Sequence, residues 1–372
     1  MSEATGTATP DRPPGLPAQS PPVDPAETAA ATAKSAPRRL SWWHGDGGEG
    51  AKRNLGLIGV LVVLVVIGAA TRWDLYSNPD WVWNNTLTIL KLASVVGVVT
   101  VGMTFVIIGG GIDLSVGAIV ALAGVWCTTV ATQSYGAGGM IFTALTVGVA
   151  VGLVNGLLVS YGRLVPFIAT LAMMVAARGL AAEISDKQTQ VSDNTFINGI
   201  ASTELLGIPL LVYILAAVVA AGWVLLNRTT FGRRTVAVGG NPEAARLAGI
   251  DVRRHTLLLY ALSGLCCGIA AIMLTAQANS AQAAMANLYE LDAIAAAIIG
   301  GTLLSGGRGT IVGSLLGVLI FSTITNLFAI NGLSTEAQNM VKGGIIVGAV
   351  LVQQVQLRSL TQFLGRNRAT TS

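Results

Sequence analysis

The chain has 372 residues, of which 52% are hydrophobic and only 11% charged, with 45 glycines and a formal net charge of +4. That much apolar surface exceeds what a single soluble core hides, which excludes a water-soluble globular domain and makes lipid the solvent. The basic residues cluster between apolar runs, so the positive balance reports orientation in a membrane rather than affinity for nucleic acid.

Residues 1–50 are rich in Pro, Ala, Thr and Ser without apolar periodicity and are expected to form a disordered cytoplasmic tail. Lys52 and Arg53 then introduce the first apolar run, Leu55 to Ala70. Further runs long enough to span at 1.5 Å per residue lie at 86–108, 113–134, 138–161, 163–184, 208–227, 255–277, 291–305, 309–330 and 337–356. The expectation is an all-α polytopic membrane domain over 51–357, about ten transmembrane helices in two pseudo-repeated halves, followed by a cytoplasmic tail at 358–372. The run 291–305 is short, and only Gly162 and Arg163 separate 138–161 from 163–184. Cys127, Cys266 and Cys267 all lie in apolar stretches and read as packing residues, with no disulfide framework, metal site or cofactor site.

With the amino terminus inside, one face collects Lys52, Arg53, Arg163, Arg228, the arginines of 233–254, Arg308 and Arg358. The other receives Arg72 and Lys187. This asymmetry makes both termini cytoplasmic, in a multi-pass protein of the plasma membrane. An internal echo supports two halves: Ile107-Ile108-Gly109-Gly110 and its sequel to Gly117 match Ile298-Ile299-Gly300-Gly301 and its sequel to Gly309.

The longest polar stretch between runs, 228–254, is basic and contains a complete helix signal. Asn241 is an N-cap, Pro242 suits the first helical position, Glu243 answers the helix dipole, and Gly249 supplies a left-handed stop. The helix Pro242 to Ala248 is about 10 Å long. It carries Ala244, Ala245, Leu247 and Ala248, small and apolar enough to seat in a groove of another protein, with Arg233, Arg234 and Arg246 nearby for orientation. The alternative is a loop helix packed on its own domain.

The stretch FGRRTVAVGGNPEAARLAGIDVRR (Phe231 to Arg254) resembles the cytoplasmic coupling loop of the ribose, xylose and arabinose family of ATP-binding-cassette importer permeases. Three further blocks match that family in order: GIDLSVGAIVALAG (Gly111 to Gly124), VPFIATLAMMVAARGLA (Val165 to Ala181) and ELDAIAAAIIGGTLLSGGRGTIVGSLLG (Glu290 to Gly317). The resemblance implies a transport subunit, not an enzyme, working with a separate cytoplasmic ATPase, an extracytoplasmic sugar-binding protein and a second permease copy. The sequence has no GxxxxGK(S/T) loop for ATP. A monosaccharide is the implied solute, a pentose favoured, with nucleosides or other sugar-like solutes as alternatives.

In Gly109 to Gly117, three glycines end one helix, and Asp113 or Ser115 can cap the next; the same break could also line the solute path. Lys91, Arg178 and Lys342 fall within apolar runs. They are expected either to pair or snorkel, or to face an outer vestibule, with Glu183, Asp292 and Glu336 as candidate counter-charges. Asn155, Gln277, Asn279, Thr323 and Asn326 could line a path or bridge helices. An ion-coupled transporter would need charge at mid-membrane, and an intramembrane enzyme would need a nucleophile with a base or a metal cluster. The sequence supports neither, since its two histidines are His44 in the tail and His255 at a helix start.

Overall fold

The computed structural model describes residues 42–348 and 351. The chain divides into Met1–Ala51 and Lys52–Ser372, and the second unit is the one described below. Most of the expected amino-terminal tail and all of 358–372 lie outside the described residues. Helix α1 (Trp42–Thr71), however, already begins inside the segment read as tail.

Among the described residues, seven helices are long and apolar enough to cross a membrane: Lys52–Thr71 of α1, α3 (Pro79–Ile108), α6 (Gly136–Ser160), α7 (Pro166–Ile184), α9 (Leu210–Arg228), α12 (Val252–Ala278) and α14 (Ile311–Ile330). The short α2 (Trp73–Tyr76) lies between α1 and α3. Two of the expected runs take other forms. The run 113–134 breaks into α4 (Val116–Cys127) and α5 (Val130–Gln133). The break is made by hydroxyls: Thr128 Oγ1 bonds back to the Gly124 and Val125 carbonyls, and Thr129 caps the amide of Thr132. The run 291–305 is helical only as α13 (Tyr289–Ile299), because glycines end it at Gly300 and Gly301. The last run is helical over 335–348, here α15, and then leaves the described residues. Between α6 and α7 the split at Arg163 is real, with φ +56° there and Pro166 opening α7.

Two helices in the 228–254 stretch, α10 (Thr230–Gly240) and α11 (Pro242–Leu247), sit at one end of the bundle. The opposite end carries elements that the hydropathy pattern does not announce. A two-residue pairing joins β1 (Gln190–Val191) to β4 (Ser280–Ala281), α8 (Thr195–Ser202) follows β1, and a hairpin joins β2 (Glu204–Leu205) to β3 (Ile208–Pro209).

The core is built around α3, 83% of whose apolar window is buried, with α12, α14, α9 and α13 packed on it. By contrast α1 is 11% buried and presents its aliphatic surface outward. Helices α6 and α12 approach closely because Gly148, Gly152 and Gly156 recur at every fourth position and meet Gly264, Gly268 and the backbone of Tyr260 and Leu257. Lipid supplies no hydrophobic force between helices, so such small-residue contact is the main source of their attraction. A Cβ at Gly264 would fall on the Gly148 carbonyl oxygen and 3.1 Å from Gly152 Cα. Gly264→Val should therefore destabilise the protein by about 1–3 kcal/mol or more, read as a lowered thermal midpoint in detergent. Gly138→Ala, in the same α6 with nothing within 4 Å, should leave the midpoint unchanged; equal midpoints for both variants would refute the seam.

Candidate functional site

At one end of the bundle α10 and α11 form an exposed unit tied to the interior along a single face. Thr229 caps α10 through the Gly232 amide. His255, in the first turn of α12, is buried; its Nε2 lies 2.9 Å from Thr235 Oγ1 and its ring 4.7 Å from that of Phe231. Arg233 and Arg234 lie on the outward face. Helix α10 itself was not expected; its signal was a threonine cap before buried positions Gly232, Thr235, Val238 and Gly239, masked by the arginines between them.

Helix α11 forms for the reasons its sequence states. Asn241 Oδ1 accepts the Ala244 amide at 3.0 Å, Pro242 opens the helix, and Glu243 sits in the first turn. The helix ends one residue earlier than expected, at Leu247, with Gly249 at φ +82°. Ile250 N donates to the Ala245 carbonyl and Gly249 N to that of Arg246, both at 3.0 Å, the two bonds of a Schellman stop. Arg246 pairs with Glu243 and holds its carboxyl below the usual range. One docking expectation needs correction: Ala245 is buried against its own chain. The outward surface is Ala244, Leu247 and Ala248, with Leu247 78% exposed.

The internal echo is realised atom for atom. Gly110 N bonds Ile107 O and Gly111 N bonds Val106 O at 2.9 Å, and Gly301 N bonds Ile298 O at 2.8 Å and Thr302 N bonds Ala297 O at 2.9 Å. Gly110 and Gly301 both have φ +86°. The two turns touch each other, since Gly307 N donates to Ile108 O at 2.8 Å.

After the first turn the chain stays buried at Asp113. Its Oδ1 accepts the Ser115 amide at 3.0 Å and the Ser115 hydroxyl at 2.6 Å, and its Oδ2 accepts the Ser263 hydroxyl at 3.1 Å. Asn155 Nδ2 donates to Ser115 Oγ at 2.8 Å. Ser115 is the N-cap residue of α4 but makes no side-chain cap bond, because its hydroxyl is spent on the carboxylate of Asp113. Ser263 lies about 16 Å along α12 from Val252, so this break sits well inside the bundle.

The other polar residues considered for a path are dispersed. Arg178 Nη1 donates to the carbonyls of Ala283 and Met285 at 2.7 Å, and its Nη2 to Ala286 at 3.3 Å, clamping the turn before α13. Gln277 bonds the Lys91 carbonyl, and Asn279 takes the left-handed end of α12. Asn326 Nδ2 bonds Asn85 Oδ1. Each cation within a run has a partner. Lys342 binds Asp292 at 3.1 Å with both side chains largely buried, Lys91 lies 3.9 Å from Glu204, and Arg178 reaches its carbonyls. Of the three counter-charges considered, the structure uses Asp292.

Lys342→Met and Asp292→Leu should each lower the thermal midpoint, at a cost on the order of 3–5 kcal/mol, because each strands a buried charge. The double variant should recover most of the loss. Additive losses would show that the two groups do not interact.

A family model described as the permease component of the branched-chain amino acid transport system matches residues 85–350. The ribose import permease protein of Bacillus subtilis (strain 168) is 40% identical over 312 residues, covering 82% of this chain and 94% of its own. The counterpart of the same name in Escherichia coli (strain K12) is 39% identical, covering 80% of this chain and 92% of its own. A galactofuranose transporter permease protein of the same strain is 36% identical, covering 82% and 90%. No solved structure matches. An interrupted, glycine-turned helical bundle matched over most of its length by these proteins belongs to the family of branched-chain amino acid transport system permease components.

Proposed function

We propose that the chain is the membrane permease subunit of an ATP-binding-cassette importer that carries a monosaccharide into the cell, with a pentose favoured. The ribose import relatives, matched over nearly their whole lengths, support the solute class. The observation that carries the mechanism is α11, a helix fixed at both ends that presents an exposed apolar residue beside a cluster of arginines. An importer driven by ATP needs a partner ATPase to which two permease conformations offer different contact energy, and a rigid helix on the surface meets that need. In this reading the α10–α11 end is cytoplasmic, a sugar-binding protein docks at the opposite end, and a second permease copy completes the pore. Among the residues considered for a path, Asp113, Ser115 and Asn155 hold the break before α4, Arg178 holds the turn before α13, Gln277 and Asn326 tie α12 and α14 to α3, and Asn279 ends α12. The galactofuranose relative favours a second reading, in which the solute is a hexose.

Burying Leu247 in a partner groove contributes about 1.5–3 kcal/mol. Leu247→Asp should therefore weaken co-purification of the ATPase by roughly tenfold or more and abolish ATP-driven uptake, with the permease still inserted. Unchanged co-purification and uptake would remove α11 as the coupling element.

Cysteines placed at Gly240 and at Asn194, which caps α8 at the opposite end, should label with an impermeant thiol reagent from opposite sides of the membrane. The native cysteines are buried and should stay silent. Labelling from one side would overturn the orientation.

A further inference from the structure

Helix α10 turns Phe231, Thr235 and Gly239 to the body of the protein at a spacing of four, so they share one face. The Phe231 ring lies 6.1 Å from that of Phe105 in α3, and Thr235 reaches His255 of α12. Gly239 sits where both repeat turns meet. A Cβ there would fall on the Ile108 carbonyl oxygen and lie 2.8 Å from Gly307 N, the two atoms that hydrogen-bond the turns to each other. Gly306 closes the junction: its own Cβ position is 2.8 Å from Gly239 O and 3.0 Å from Gly110 Cα.

Backbone thus meets backbone among three segments, with no flexible side chain to absorb a displacement. The other flank of the first turn is hollow. A cavity of about 130 Å³ lies there, lined by Gly109–Gly111, Val159, Val238, Pro242, Thr256 and Tyr260, among others.

We propose that Gly239 is the transmission contact of the transporter, passing movement of the exposed α10–α11 unit to both repeat turns at once, with the cavity beside Gly109–Gly111 as the space the first turn moves into. The proposal rests on the reading of α11 as the coupling element and adds the route inward. Gly239 is a positioning residue in this scheme, and it touches no solute. The next residue supplies a control, because a Cβ on Gly240 would have only Gly307 Cα near it, at 4.0 Å.

The test uses the full permease with its ATPase and binding protein in proteoliposomes. A single cysteine replaces Ser305, an exposed residue of the second turn, and its labelling rate is compared without nucleotide and after trapping with ATP and vanadate. In the otherwise unaltered complex the two rates should differ by roughly fivefold or more. Gly239→Ala should erase that difference and ATP-driven uptake of D-ribose while keeping ATPase co-purification; Gly240→Ala should keep all three. A Gly239→Ala complex that retains the nucleotide-dependent labelling overturns the proposal, as does one that loses the ATPase, which would make Gly239 part of docking. If Gly239→Ala does not insert, Thr256→Phe, which fills the cavity, carries the test: unchanged labelling in that folded variant is equally fatal. The underlying reading fails separately, through Leu247→Asp that still binds the ATPase.

Discussion

A helix that stops inside an apolar phase leaves carbonyls and amides with no water to take them, each costing several kcal/mol if unpaired. This constraint governs the two interrupted regions. Helix α3 ends at Ile108 within the bundle, and its last carbonyls are taken by Gly110, Gly111 and, across the repeat, Gly307. On the entering side Asp113 supplies a carboxylate to the Ser115 amide. The second half solves the same problem with the same turn at Gly300 and Gly301. The glycines meet two separate demands: Gly110 and Gly301 adopt a positive φ, while at Gly239 and Gly306 the junction has no room for a Cβ.

Beside the turns, several buried polar side chains pair with one another. Asp113 is surrounded by donors from Ser115, Ser263 and, one step removed, Asn155, which ties α4, α6 and α12 around the break. Lys342 and Asp292 tie α15 to α13, while Arg178 spans from α7 to the turn before α13. Such contacts contribute more to specificity of arrangement than to stability, because desolvation offsets much of their attraction. The attraction between α6 and α12 comes instead from glycine seams.

These two features connect the surface of the protein to its interior. The exposed α10–α11 unit is anchored by Phe231, Thr235 and Gly239, and the last of these lies against both satisfied turns. The segment proposed to meet the ATPase is therefore one backbone contact from the places where the spanning helices are broken.

Composition and hydropathy alone determined that the chain is a polytopic helical membrane protein, because no other solvent accommodates that much apolar surface and helices satisfy their own backbone. Helix α11 was equally legible, since Asn241, Pro242, Glu243 and Gly249 act through local hydrogen bonds and φ preferences, and the echo of the two turns was visible as paired glycines. The tertiary structure decided what local chemistry cannot encode. Hydropathy reads 113–134 and 291–305 as spans, and the breaks that Thr128, Thr129, Gly300 and Gly301 make in them are local, but the closing of the Ile108 carbonyl by Gly307 joins residues far apart in sequence. Burial of Ala245 and His255, the pairing of Lys342 with Asp292, and the bond from Ser263 to Asp113 arise only when helices distant in the chain are brought side by side. The same holds for Gly239, one glycine among 45 until folding sets it against Ile108 and Gly307.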